Sequence, residues 1–391
     1  MTRLGDICRF QSGGTPPKND PENYGGNIPW ITTVALNGKV INGDNAIEWI
    51  TEKAIRESAT KIVPAYSIMV GTRVGVGKVA INGIPMATSQ DIISLIDIDE
   101  TKWDKEYLCK LILANSDYLN AQARGATIKG IKIDVLAGIE VPSISVEEQR
   151  KVSAVIERTD SMISLRKKQL QKLDDLVKSR FVEMFGDLEL NPMEWPVEAL
   201  GDVLSVEPQN GLYKPQSDYA QDGTGIPILR IDAFYDGRVT DFSRLKRLKC
   251  TDTERSRYLL MENDIVINRV NSLEYLGKCA WITGLIEPTV FESNMMRFHV
   301  DESRIDPCYM TRLLCSTFIY KQILNRAKKA VNQASINQGD VQSFKILVPP
   351  VGLQKKYADF VAQVDKSKAV VQKALDEAQL LFDSLMQKYF G

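Results

Sequence analysis

The chain is written twice, and that repeat limits its architecture more than any single motif. "LGDICRF" from Leu4 returns as "LGDVLSV" from Leu200, and "NIPWITTVALNGKV" (Asn27 to Val40) returns as "GIPILRIDAFYDGRV" (Gly225 to Val239). "YSIMVGTRV" (Tyr66 to Val74) matches "NDIVINRV" (Asn263 to Val270), and "IEVPSISVEEQ" before Arg150 matches "ILVPPVGLQ" before Lys355. Each copy then runs to a long segment that closes on "MFG" at Gly186 or "YFG" at Gly391. Matched strings in the same order, offset by about 200 residues, describe a duplicated module and not a solenoid.

Within each copy, short apolar runs are broken by Gly, Pro, Asn and Asp: "IPWITTV", "SIMVGTRV" and "IISLIDI", then "IPILRI", "DIVINRV" and "MMRFHV". These are strands with turn punctuation. One helical patch per copy interrupts them, "KEYLCKLILANSDYLNAQA" and "PCYMTRLLCSTFIYKQILNRA". Each module is therefore a mixed α and β globule, and the fold class is α+β.

The closing segments are different in kind. From Val146 to Phe185 and from Leu353 to Phe390 there is no Pro and no Gly. Spacings of 4 and 3 link Val152, Ile156, Thr159, Ile163, Arg166, Leu170, Leu173, Val177, Arg180 and Met184. Adding 205 gives a second seam from Tyr357 to Tyr389, apolar at nine of ten positions against seven of ten in the first. That is a heptad pattern. Each helix would be roughly 55–60 Å long at 1.5 Å per residue, too long for a globule of this size. Chain order makes the two antiparallel if they pair, which predicts a dumbbell with a globule at either end. The expected divisions are residues 1–145 and 187–350 for the heads, and 146–186 and 351–391 for the helices.

"GTRVGVGKVA", from Gly71 to Ala80, imitates a phosphate loop. A Walker loop needs Gly five places before Gly77 and Ser or Thr after Lys78, whereas Thr72 and Val79 stand there. A dinucleotide fingerprint must open a helix, and the residues that follow read as a strand. The second copy, "NRVNSLEYLGKCAWI", keeps only Gly277 and Lys278 around a longer loop. Both copies predict a hairpin whose tip differs between the halves.

A kept frame with divergent polar loops points to two recognition heads of unlike specificity. Arg, Lys, Asn, Gln, Ser and Thr are the side chains that read base edges and hold phosphates. Candidate DNA contacts in head one are Thr15, Lys18, Arg73, Lys78, Ser89 and Gln90. In head two they are Lys214, Arg230, Arg269, Asn271, Tyr275, Lys278, Asn294 and Asn332, with Lys328 and Lys329 as phosphate contacts. Ordinary solvated surface is the competing assignment for any one of them.

Composition sets limits without deciding function. The 391 residues carry 49 Lys and Arg against 50 Asp and Glu, for a net charge of −1. A protein that coats DNA by charge alone would be more basic. The six cysteines form no C-x-x-C pair and are expected to be reduced and mostly buried. His299, the only histidine, is expected to be a satisfied strand residue. No apolar run approaches a membrane span, the N-terminus does not resemble a signal peptide, and a cytoplasmic protein is expected. No catalytic motif, metal site or cofactor is expected.

These strings resemble the specificity subunit of type I restriction-modification systems over the whole chain. The resemblance is carried by "GGTPP" with "IPWIT", by "NRVNSLEYLGKCAWI" with "ESNMM", and by "VPSISVEEQ" and "VPPVGLQ" opening the long helices. "GLQKK" departs from the family in lacking an acidic residue before Gln354. The resemblance implies a non-catalytic subunit with two target recognition domains, each reading one half of a bipartite interrupted site in double-stranded DNA. It implies helices that set the spacing and dock two copies of a DNA methyltransferase (modification) subunit, with a restriction and translocase subunit joining and no membrane partner. A coiled-coil scaffold joining two protein-binding heads is the alternative from the residues alone.

Overall fold

The computed structural model describes residues 2–125, 129–220, 223–331 and 333–391. It falls into two compact units, one of residues 1–168 with 371–391 and one of residues 169–370. Each unit holds one head, the beginning of one long helix and the end of the other.

In the first unit a five-stranded sheet runs in the order Arg9–Ser12, Ile92–Ile96, Ile68–Gly71, Val79–Asn82, Val40–Ile41. The second unit repeats it as Leu204–Asn210, Met295–Val300, Ile265–Asn268, Cys279–Trp281, Gly237–Val239, and adds Phe234–Tyr235 at the edge. The central hairpins share one register. Ile68 faces Ile81 and Val70 faces Val79, as Ile265 faces Trp281 and Ile267 faces Cys279. The first-unit strands 68–71, 79–82 and 92–96 are buried along their whole length, which is why they read as mostly apolar runs without alternation, broken only by the buried Asn82 and Ser94. A smaller four-stranded sheet lies in each unit, and Val270–Asn271, Ala334–Ser335 and Lys328–Lys329 form a three-stranded sheet in the second.

The helical patch expected in each copy is broken in two: Lys105–Ala114 then Ser116–Gln122, and Pro307–Leu314 then Thr317–Arg326. Local side-chain bonds explain the breaks. The Asn115 amide donates to Leu111 O at 2.9 Å, and Ser316 caps the following helix by accepting from Ile319 N. Short polar side chains of this kind compete with the helical ladder.

The long helices run Val146–Phe185 and Val351–Phe390. None of the twenty seam positions is exposed. In the second unit they are antiparallel: Asp174 meets Lys368 Nζ at 2.5 Å, Arg180 lies over the Phe360 ring, and Phe181 and Phe185 pack on Tyr357. In the first unit Val152 and Ile156 share a core with Phe382, Leu385, Met386, Tyr389 and Phe390.

One glutamine fixes the start of each long helix. Gln149 is fully buried; its Oε1 accepts from Asp104 N at 2.9 Å, and its Nε2 donates to the carbonyls of Lys102 and Ile144 at 3.1 Å each. Gln354, equally buried, accepts from Asp306 N at 2.8 Å and donates to the carbonyls of Arg304 and Pro349 at 3.1 and 2.7 Å. Asp104 and Asp306 in turn cap the first helix of each pair. An aromatic ring fixes each far end: Phe390 lies 5.1 Å from Tyr107, and Phe185 lies 4.7 Å from Tyr309. Each head thus grips the beginning of its own long helix and the end of the other.

A buried backbone group left without its partner costs about 1–3 kcal/mol, so Gln354→Leu should destabilise the second unit by roughly 2–4 kcal/mol. Denaturant-dependent hydrogen exchange should show the loss in amides of residues 190–350, with those of the first head unchanged.

Candidate nucleic-acid interface

The glycines of the tip are explained by geometry. Gly75 and Gly77 have φ of +72° and +81°, and a Cβ at Gly77 would stand 2.9 Å from the Ser116 backbone. Gly277 repeats this with φ +77° and Ile323 in the way. The glycine after each tip therefore turns the chain and lets it lie against a helix, and the chain runs on from the tip into a strand, Val79–Asn82 or Cys279–Trp281, and not into a phosphate-binding helix.

Backbone hydrogen bonds align the two tips residue by residue. Gly71 N donates to Lys78 O and Gly77 N to Gly71 O; Asn268 N donates to Lys278 O and Gly277 N to Asn268 O. Next along the chain, Thr72 N donates to Asp91 O and Arg269 N to Asn294 O. Ile131 N then donates to Thr72 O, and Ile336 N to Arg269 O. Arg269 is therefore the counterpart of Thr72, and Arg73 that of Val270, one place away from the alignment of the "RV" strings. Between those anchors the tip spans residues 72–76 in the first head and 269–276 in the second.

Several separate segments meet at each tip. In head one, Gly13 N donates to Ile92 O and Gly14 N to Thr88 O, which seats the loop carrying Thr15 on the segment carrying Ser89 and Gln90. Asp91 joins that segment to the tip, with its side chain 3.9 Å from Arg73 Nη1. Residues 129–131 close the other flank, and Gly130 lies so near that a Cβ would meet Arg73 and Thr72. In head two, Gly211 N donates to Met295 O and Leu212 N to Phe291 O, seating the 211–214 loop beside residues 292–294. Val270–Asn271 pairs with Ala334–Ser335, which pairs with Lys328–Lys329.

The candidate residues divide by how far they are already engaged. Thr15 is half-buried, Ser89 is buried, and Lys18, Arg73, Lys78 and Gln90 are exposed. In head two Tyr275, Lys328 and Lys329 are exposed, while Asn271 and Asn294 are half-buried. Asn332 lies outside the described residues. Arg269 is half-buried and donates from Nη1 to Ser293 O at 3.2 Å. Lys214 is paired within the head, 2.9 Å from Glu254 and 3.5 Å from Asp218. Arg230 donates to Tyr219 Oη at 2.9 Å and lies 3.6 Å from the Glu292 carboxylate, whose pKa burial pushes up.

Lys278 sits in an aromatic cage. Its ammonium is 3.7 Å from the Tyr235 ring centre, 4.9 Å from Phe234 and 6.0 Å from Tyr275, and it donates to Ile231 O at 3.1 Å. Burial pushes its pKa below the ordinary lysine value, opposed by the Asp232 carboxylate. The side chain ties the base of the tip to the 231–235 turn. Lys78, at the same place in head one, is exposed.

The sequence reading did not single out Arg124 and Lys129, exposed on the flank of the first tip, or Tyr213, 76% exposed on the loop corresponding to that of Thr15. The string "ARGATIKG" shows the first two as a local basic excess, but only the Arg124–Gly130 bridge brings them to the tip. His299 is a strand residue as expected, its ring 3.0 Å from Asp264 and 3.1 Å from Glu302. All six cysteines are free thiols. Among the described residues no cluster of His, Cys, Asp and Glu could hold a metal, and no helix is long and apolar enough to cross a membrane.

A left-handed backbone costs an L-residue about 1–2 kcal/mol. Gly77→Ala adds a backbone collision to that strain, whereas at Gly75 the nearest obstacle is the flexible Lys78 side chain. Gly77→Ala should therefore lower the melting temperature of the first unit more than Gly75→Ala does, as read by calorimetry.

Comparison with known proteins matches this doubled frame. The type I restriction modification DNA specificity domain matches residues 1–175 and again residues 192–379. The MjaIX specificity subunit of Methanocaldococcus jannaschii is 27% identical over 99% of this chain and 91% of that protein. The EcoR124I/EcoR124II specificity subunit of Escherichia coli is 29% identical over 45% of this chain and 47% of its own. The S subunit of the type I system of M. genitalium superposes with a TM-score of 0.62 at 15% identity, covering 100% of this chain and 95% of that one. A chain from a study of complex assembly and conformational transition in the type I R-M system gives 0.58 at 18%, covering 100% and 96%.

Proposed function

The chain belongs to the type I restriction modification DNA specificity family, and on that premise we propose that each head reads one half of a bipartite, interrupted DNA site. It is a specificity subunit, the part that recognises DNA sequence, and the chemistry resides in its partner subunits. The observation that supports two unlike half-sites is the tip itself. Six backbone anchors are shared between the heads, while the loop they hold differs in length and in every side chain from residue 72 to 76 against 269 to 276. A frame kept under a changed loop is what alteration of specificity without alteration of fold requires.

In this reading Arg73, Lys78 and Gln90 in head one, and Arg269, Asn271 and Tyr275 in head two, face the bases. Lys18, Lys328 and Lys329 hold phosphates. Thr15, Ser89 and Asn294 shape the same surface, and Lys214, Arg230 and Lys278 fix the loops from within. The antiparallel helices set the gap between half-sites and dock two methyltransferase subunits, to which a restriction and translocase subunit joins.

The test is to sequence methylated positions in DNA from cells that carry this chain with its methyltransferase. Two interrupted half-sites are expected; a single continuous site would overturn the reading. Arg269→Ala should cost about 1–3 kcal/mol at one base position of one half-site, whereas Lys329→Ala should weaken all sequences alike and reduce the salt dependence of binding. Filter binding of the complex across a panel of half-site variants separates these outcomes.

The helices make a separate prediction. Adding a heptad at the matching point of both long helices lengthens them by about 10 Å, roughly three base pairs of B-DNA. The tolerated gap should lengthen by that amount with both half-sites unchanged. Changed half-sites with an unchanged gap would refute the division of labour.

A further inference from the structure

We propose that Cys315 is a site of oxidative modification by hydroperoxides, and that Cys279 resolves the product as an intrachain disulfide within the second head. The two sulfur atoms are 3.4 Å apart. Cys279 sits on the strand at the base of the tip and is 1% exposed. Cys315 lies in the break between helices Pro307–Leu314 and Thr317–Arg326, and its residue is exposed. It lines a groove of about 450 Å³ with Tyr275, Lys278 and Ile323, and another of about 290 Å³ with Arg238, Arg312 and Tyr357. Both cysteines line the larger groove, but only the Cys315 residue is exposed, which makes it the attacking member of the pair and Cys279 the resolving one.

Electrostatics distinguish the same thiol from the other five. Burial pushes Cys8, Cys109 and Cys308 up to about 12, Cys250 is raised by the same cause, and Cys279 is raised by its bond to Cys315 and then by burial. Cys315 alone is lowered, first by the hydrogen bond from the Cys279 thiol and then by the Arg312 guanidinium, against burial and Asp236. Thiolate character and access are what select a cysteine for oxidation.

The chemistry balances with one hydroperoxide as oxidant. The Cys315 thiolate attacks the O–O bond; an S–O bond forms, the O–O bond breaks, and the leaving alkoxide or hydroxide takes a proton from solvent. Cys279, giving up its proton, then attacks the sulfenic sulfur; the S–S bond forms, the S–O bond breaks, and hydroxide leaves with that proton as water. Two thiols are oxidised to a disulfide and the peroxide is reduced to an alcohol, or water, and one further water. The bridge joins the strand at the base of the tip to the end of a head helix, so its effect is confined to the second head.

The test uses the full chain and hydrogen peroxide alone, and needs no DNA, so its failure is independent of the reading proposed above. Denatured thiol titration after a brief, limiting exposure should fall from six to four. Peptide mapping should find Cys279 linked to Cys315, reversed by dithiothreitol. Cys279→Ser should leave a sulfenic acid at Cys315 that dimedone captures, and Cys315→Ser should keep all its remaining thiols under the same exposure. Retention of six thiols, oxidation of Cys8 or Cys250 ahead of Cys315, or no dimedone adduct in Cys279→Ser would each overturn the proposal.

Discussion

The architecture depends on a buried amide. Gln149 and Gln354 each satisfy two carbonyls and one backbone N–H at the point where a long helix leaves its head. A fully desolvated amide is costly unless each of its groups is bonded, so this arrangement tolerates few alternative directions for the helix. The partners are Ile144 or Pro349 in the turn that leads into the long helix, and Lys102 with Asp104 or Arg304 with Asp306 where the head's own helix begins. The direction of the one is therefore set by the position of the other. The rings of Phe185 and Phe390 close the opposite ends against Tyr309 and Tyr107. The match between Tyr107 and Tyr309, and between Phe390 and Phe185, shows that the duplication preserved a joint as well as a fold.

Much of that organisation was legible in the sequence. Absence of Gly and Pro over about forty residues, with apolar spacing of 4 and 3, fixes a helix through propensity and one-sided burial. The observed helices, Val146–Phe185 and Val351–Phe390, contain the stretches free of Gly and Pro at 146–185 and 353–390, the second starting two residues earlier. Strand existence was legible for the same reason, since the runs at Ile68 and Ile265 are apolar throughout and bounded by turn residues. The helix break was not read: "ANSD" and "LCST" look compatible with a continuous helix, and the side-chain bonds of Asn115 and Ser316 decide the matter. The string "VEEQ" also drew attention to the right place without disclosing why, because the role of a buried glutamine depends on groups about fifty residues away.

The candidate interface was legible as a set of loops and much less so as individual side chains. Hydrophobic pattern and turn chemistry locate a hairpin tip, but they do not say where a long cationic side chain goes. Lys214 and Arg230 have the composition of DNA contacts and the surroundings of internal ion pairs. Arg124 and Lys129 are the reverse, unremarkable in a stretch after the helices yet brought by pairing to the edge of the first tip. The near-neutral charge of the chain fits this division. Many of its cations are matched within the heads, so on the proposed reading few remain for phosphates and the partner subunits supply much of the neutralisation.

The Gly-Lys pair shows how differently two adjacent conserved letters can behave. Gly77 and Gly277 share a left-handed conformation that disfavours any side chain, with the Ser116 backbone against the first and the Ile323 side chain against the second. Lys78 and Lys278 share a backbone register as well, their carbonyls accepting from Gly71 N and Asn268 N on the strand opposite. Their side chains part company, one into solvent and one into a cage of Phe234, Tyr235 and Tyr275. The cage requires the edge strand Phe234–Tyr235 and the three further residues of the second tip, neither of which exists in the first head. A glycine answers to its own backbone, and its role survives duplication. A lysine answers to whatever the neighbouring loops present, so the residue can persist while its function changes.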